Sequence, residues 1–131
     1  SDLKRIVNLS VSGPFHSSLL KPAGEALARE LKKISIKNPE IPVVSNVTAR
    51  PVVDYEDIRQ RLAQQVSNSV LWEDSIRYMI SQGINTFIEV GPGKALSGFV
   101  KRIDKTVSAY NIENMATLEK VMKFVTADLE G

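Results

Sequence analysis

The segment TFIEVGPGKALSGFVKRI, Thr86 to Ile103, constrains the fold more than any other. A strand-like run of β-branched and aromatic residues ends in a Gly-Pro-Gly turn. The turn opens directly onto a helix whose apolar residues Leu96, Phe99, Val100 and Ile103 recur at three- and four-residue steps. A second strand-like segment, Val107 to Tyr110, follows, so the whole predicts a βαβ unit, whose crossover makes the two strands parallel. The alternation extends through the chain. Ile6, Val7, Leu9 and Val11 predict a strand that Gly13-Pro14 ends. Leu20, Ala23, Leu27, Leu31 and Ile34 predict an amphipathic helix over 18–34, with Lys21, Glu25, Arg29 and Lys32 opposite, Ser17 or Ser18 as its cap and Pro22 in its first turn. Asn38-Pro39 and Pro42 lead into a short strand at Val43 to Ser45. Ile58, Leu62 and Val66 mark a second helix, and Trp72, Ile76, Met79 and Ile80 a third that Gly83 ends. Met115, Leu118, Val121, Met122 and Val125 close the chain with another helix. The expected class is α/β with mostly parallel short strands and flanking helices, without a repeat or an interdomain linker.

At 131 residues and 43% apolar, the chain is long enough for one domain, or a large piece of one, with a real core. Lys and Arg number 17 against 15 Asp and Glu, a formal charge of +2, and the cations sit in scattered groups such as Lys4-Arg5, Lys32-Lys33 and Lys101-Arg102. That balance does not call for nucleic acid. No apolar run approaches the roughly 20 residues of a membrane span, and the N-terminus lacks a signal-peptide pattern. The absence of cysteine removes disulfides, thiolate metal sites and a cysteine nucleophile together, and suits a cytoplasmic chain. The sequons at Asn8 and Asn46 would matter only in a secreted protein. Ser1-Asp2 runs straight into apolar Ile6-Val7, so the start is expected to be a cut.

Few residues offer chemistry. In GPGK, Gly91 to Lys94, a glycine-rich turn between strand and helix aims backbone N–H groups and a positive helix end at one place. A phosphate-binding loop needs a glycine five residues before Gly93 and a Ser or Thr after Lys94. Ile88 and Ala95 stand there, so the motif reads as a tight turn. Asp54, Glu56 and Asp57, and likewise Glu73-Asp74, are placed as helix starts rather than metal ligands. His16 is the only histidine. It lies where a strand gives way to a helix, a usual position for catalytic groups in α/β sheets, and imidazole can serve as a general base near neutral pH. Ser17 and Ser18 adjoin it, but no G-x-S-x-G elbow occurs. Local chemistry alone leaves His16 open between a base and a structural loop residue.

The stretches VSGPFHSSLLKPAGEALARELKKI, IPVVSNVTAR and QQVSNSVLWEDSIRYMISQGINTFIEVGPGKALSGFVKRI, taken in order, resemble the second half of the malonyl-CoA:acyl carrier protein transacylases of bacterial fatty acid synthesis. Polyketide synthase acyltransferases are more distantly similar. The resemblance implies an α/β-hydrolase-like acyltransferase core, with 1–12 the last strand of a ferredoxin-like small subdomain and 13–131 the C-terminal part of the large one. It implies transfer of a malonyl group from malonyl-CoA to the phosphopantetheine thiol of acyl carrier protein through a serine acyl-enzyme, with no cofactor. The family's base falls on His16, and the main-chain carbonyl that orients it falls on Gln65, whose side chain is then expected to matter little.

The resemblance also implies that the G-H-S-x-G nucleophile, the oxyanion loop and the carboxylate-binding arginine belong to a preceding N-terminal half. The fragment alone is then expected to be inactive and to expose apolar sheet surface that the missing half covers. Its expected partners are acyl carrier protein, malonyl-CoA and that half, with neither nucleic acid nor membrane. Arg29, Lys32, Lys33, Lys101, Arg102 and Lys105 read as solvated faces, with docking of an acidic carrier as the rival use. The alternative function is acyl transfer in a polyketide synthase or a non-catalytic α/β binding module.

Overall fold

A computed structural model describes residues 16–130, so the strand expected at Ile6 to Val11 lies outside the described residues. The chain divides into two compact units, one ending at Leu71 and one beginning at Trp72, although no linker composition marks the division.

In the first unit a single 3-10 turn, Ser18–Leu20, leads into α1, Lys21–Leu31, with Pro22 in its first turn, where a missing N–H costs least. The expected serine cap of α1 is not found. Ser17 precedes the 3-10 turn, its carbonyl accepts from the Leu20 amide at 3.0 Å, and the N-cap of α1 becomes Leu20, which has no side chain to cap with. The helix also stops three residues before Ile34. Tight bonds from Lys33 N to the Glu30 carbonyl and from Ile34 N to the Leu31 carbonyl wind up its last turn.

β1, Val44–Ser45, and β2, Arg50–Pro51, form a two-residue antiparallel ladder, Val44 opposite Pro51 and Ser45 opposite Arg50. The loop between them closes through Ala49 N to the Ser45 carbonyl at 2.8 Å and holds Ala49 at φ 53°, its methyl buried. α2, Tyr55–Gln65, begins at Asp54, whose carboxylate accepts the Asp57 amide at 2.9 Å while Asp57 accepts the Val53 amide at 3.0 Å. The three carboxylates Asp54, Glu56 and Asp57 thus cap and charge a helix start. α1 and α2 run antiparallel, and a Cβ on Gly24 would meet the Ala63 carbonyl at 2.8 Å, so glycine permits their close approach.

The second unit contains α3, Trp72–Ser81, β3, Thr86–Val90, α4, Ala95–Ile103, β4, Ser108–Ile112, and α5, Met115–Glu130. β3 and β4 are parallel, in register from Thr86 opposite Ser108 to Val90 opposite Ile112, with α4 as the crossover. The α/β architecture therefore holds, the longer strand pair being parallel and the two-residue pair antiparallel. Ile76, Val100, Val107 and Ala109 form the buried centre, with Trp72, Met79, Phe87 and Ile103 packed on it. Tyr110 and Phe124 stack at 5.4 Å between ring centres and tie β4 to α5. On β3, Ile88 and Val90 remain exposed, at 43% and 78%. No helix among the described residues is long and apolar enough to cross a membrane.

Candidate functional site

His16 stands two residues ahead of the 3-10 turn at φ 55°, in the left-handed region, with an exposed side chain. Such a φ is uncommon outside glycine, and histidine is among the residues that tolerate it. The ring turns to α2: Nδ1 lies 2.7 Å from the main-chain oxygen of Gln65. A carbonyl oxygen only accepts, so Nδ1 carries the proton and donates it. In the neutral ring Nε2 then keeps its lone pair. The Gln65 side-chain Nε2 is 3.5 Å from the same Nδ1, but two donors cannot bond each other, so that approach is only a contact.

The availability of this carbonyl follows from helix geometry. The last four carbonyls of an α-helix have no partner inside it. At the end of α2 the Gln64 carbonyl is taken by the amides of Ser67 and Asn68, at 3.2 and 3.0 Å, and by the Asn68 side-chain Nδ2 at 2.7 Å. The next carbonyl, that of Gln65, is left to the imidazole. Beside this pair a cavity of about 430 Å³ opens between α1 and α2, lined by Ser18, Lys21, Gly24, Ala63, Gln64 and Asn68 among others.

The GPGK segment has a different character. Gly91 and Gly93 have φ of 142° and 85° and make the turn from β3 to α4. Three of the amides that could serve an anion are bonded within the chain. Gly93 N donates to Glu113 Oε2 at 2.8 Å, Ser97 N to Glu89 Oε2 at 2.8 Å, and Leu96 N to Glu89 Oε1 at 3.4 Å. The Ser97 hydroxyl, shared between Glu89 Oε2 at 2.8 Å and the Tyr110 carbonyl at 3.0 Å, links the two strands. The Ser97 amide, against partial desolvation and helped by the Ser97 hydroxyl and the Leu96 amide, holds the Glu89 carboxyl below its ordinary range. The positive end of α4 thus faces the Glu89 carboxylate, and GPGK is a tight turn whose two glycine amides are bonded within the chain. No sequence pattern singles out Glu89, although a carboxylate ending a strand eight residues before a helical serine is the signal that could.

Glu73 and Asp74 occupy the first turn of α3, where Glu73 pairs with Arg77 at 2.8 Å. Among the described residues no group of three or more His, Asp or Glu is arranged to hold a metal ion. Of the basic residues considered for docking, Arg29, Lys32 and Lys33 belong to the first unit and Lys101, Arg102 and Lys105 to the second. Lys33 pairs with Glu30 at 2.8 Å, and Arg102 lies over the Phe99 ring at 5.5 Å. Asn68, whose side chain takes the carbonyl next to that of Gln65, and Arg59, which bonds the carbonyls of Leu31 and Ile34, escape sequence reasoning.

Most of the chain is similar to known proteins. No family model matches the chain. The malonyl CoA-acyl carrier protein transacylase of Bacillus subtilis (strain 168) is 43% identical over 116 residues, 88% of this chain and 37% of that protein. The protein of the same name from Escherichia coli (strain K12) is 45% identical over 106 residues, 81% of this chain and 34% of its own length. Among solved structures, the Clostridium perfringens transacylase superposes with a TM-score of 0.85 at 46% identity, over 92% of this chain and 38% of that one. A malonyl-transacylase in complex with its type II polyketide acyl-carrier protein superposes at 0.86 with 38% identity, over 92% and 39%. The chain spans little more than a third of the length of the curated relatives it matches.

Proposed function

Since the chain corresponds to a C-terminal portion of the malonyl CoA-acyl carrier protein transacylases, we propose that it supplies the general base for malonyl transfer. The transfer runs from malonyl-CoA to the phosphopantetheine thiol of acyl carrier protein. His16 is the base, Gln65 orients it through its main-chain oxygen, and the nucleophilic serine belongs to the N-terminal half of the same enzyme. The observation that carries the reading is the 2.7 Å contact from His16 Nδ1 to the Gln65 carbonyl, which frees Nε2 to accept a proton.

The steps follow from that tautomer. Nε2 takes the serine proton as the serine oxygen adds to the thioester carbon. Collapse of the tetrahedral intermediate breaks the carbon–sulfur bond, and the departing CoA sulfur receives the proton from Nε2–H. In the second half the carrier thiol gives its proton to Nε2, its sulfur attacks the acyl-serine, and the serine oxygen leaves with that proton. Atoms and charge balance without any cofactor. We assign 1–12 to the small subdomain and 13–131 to the large one, and place the enzyme in the cytoplasm with malonyl-CoA and the carrier. Likeness to the transacylase bound to a polyketide carrier makes polyketide synthesis the second reading of the pathway served.

The test is His16→Ala in the full-length polypeptide. A positioned general base contributes about 10²- to 10⁴-fold, so malonyl transfer to the carrier should fall by that order while circular dichroism is unchanged. Gln65→Ala, which keeps the carbonyl, should retain activity within about threefold. If His16→Ala transferred malonate at the wild-type rate, the chain would instead be a non-catalytic module.

A further inference from the structure

Arg59 lies in the second turn of α2, six residues before Gln65 and therefore about 9 Å along the helix from the site. Its guanidinium is occupied on every side. Nε donates to the carbonyl of Leu31, the last residue of α1, at 3.2 Å and Nη2 to that of Ile34, three residues beyond it, at 2.8 Å. Nη1 meets Glu56 Oε2 at 3.1 Å, and the guanidinium carbon stands 5.3 Å from the Tyr55 ring centre. The side chain is only 19% exposed.

This arrangement mirrors the one at the other end of the helix pair. His16, just ahead of α1, binds the terminal carbonyl of α2, while Arg59 of α2 binds the last carbonyl of α1 and one three residues beyond it. Between them the Gly24–Ala63 approach leaves no room for a side chain. Three fastenings along two antiparallel helices fix how far one can slide on the other. The tolerance at the His16 end is small, because an Nδ1–O separation of 2.7 Å becomes no hydrogen bond once it stretches to about 3.6 Å.

We infer that Arg59 is a positioning residue for the His16 base. It acts through the α1–α2 register and touches no reacting atom. The inference rests on the base assignment above. Arginine is needed because one planar fork spans two carbonyls, whereas the point charge of lysine holds one at a time.

The experiment compares Arg59→Met and Arg59→Lys with wild type in the full-length polypeptide. The Met variant keeps the packed stem and removes the donors. Its kcat for malonyl transfer should fall about tenfold with KM for malonyl-CoA within about twofold, since misplacing a catalytic group by even 1 Å is costly. The His16 ring nitrogens, assigned in ¹⁵N spectra by their loss in a His16→Gln control, should shift toward mixed tautomers. Arg59→Lys should recover part of both effects, and is read alone if the Met variant does not fold. A folded variant with wild-type kcat and an unchanged His16 tautomer overturns the inference. So does a loss of rate that merely tracks the unfolded fraction and vanishes when sucrose restores folding. An active His16→Ala control would refute the base assignment itself, whereas an inactive one beside unaffected Arg59 variants would refute only the positioning role.

Discussion

A methyl group added at Gly93 and one added at Gly98 should change stability in opposite directions, although the residues are five apart and the chemical change is the same. Neither site has a heavy atom within 4 Å of where the Cβ would go, so packing contributes little to either. Backbone conformation decides. Gly93 has φ 85° and is held there by its 2.8 Å amide bond to Glu113, so alanine pays the left-handed penalty of about 1–2 kcal/mol. Gly98 lies inside α4, where alanine is favoured over glycine by about 0.8–1 kcal/mol. The two variants should therefore differ by about 2–3 kcal/mol. Urea titration of the 131-residue chain can be followed through Trp72, its only tryptophan, which lies in the same unit as both glycines. With m near 1–2 kcal/mol/M, Gly93→Ala should lower the midpoint by about 0.5–2 M and Gly98→Ala raise it by about 0.4–1 M, at unchanged m. If both variants moved the same way, or Gly93→Ala matched wild type, backbone strain would not be what glycine relieves in GPGK.

Other perturbations probe the same unit. The Glu89 carboxyl has a lowered pKa, so its stabilising contribution is complete above the ordinary glutamate pKa of about 4.3 and disappears as pH falls through the lowered folded value. The stability advantage of wild type over Glu89→Gln should accordingly be flat from neutral pH down to that range and narrow on further acidification. An advantage that widened in acid would contradict the assignment. Ile76, 1% exposed at the centre of the second unit, should cost about 2–5 kcal/mol as alanine and about 0.5–1.5 kcal/mol as valine, read by Trp72 fluorescence in urea. Equal midpoints for the two variants would mean that the site collapses around the deletion.

Local periodicity makes α2, α3, β3, α4 and α5 legible because a stripe or a face is written in consecutive residues, and this holds even for α2, which has no fully buried residue and leaves Leu62 of its stripe exposed. The end of α1 is different. Ile34 continues the helical spacing, yet α1 stops at Leu31, where carbonyls are held by a residue 28 and 25 positions away. β2 has no pattern at all, since two residues are too few for a period and Pro51 argues against a strand. The ladder exists because the four-residue loop closes through Ser45 and Ala49. GPGK is legible as a turn, but the acceptors that hold its glycine amides, the Ile112 carbonyl and the Glu113 carboxylate, lie about 20 residues away and outside the motif.

The His16 contact shows why a site can be spread over residues that offer no chemistry of their own. A lone histidine in a strand-to-helix loop is visible at once, and its role is not. The partner that fixes its tautomer is a main-chain oxygen, which every residue possesses, so no residue type can announce it; Gln65 is singled out only by resemblance to a family. What selects this carbonyl is where α2 stops. Asn68 occupies the preceding acceptor at 2.7 Å, and Arg59 anchors the other end of the helix pair. A carbonyl also gives the imidazole something a carboxylate does not: an acceptor that orients the ring without placing a fixed negative charge beside it. The cost is geometric, because a main-chain atom cannot swing to follow the ring. Precision must then come from the helices, and on the base assignment proposed above the closeness of α1 and α2 at Gly24 serves the same contact.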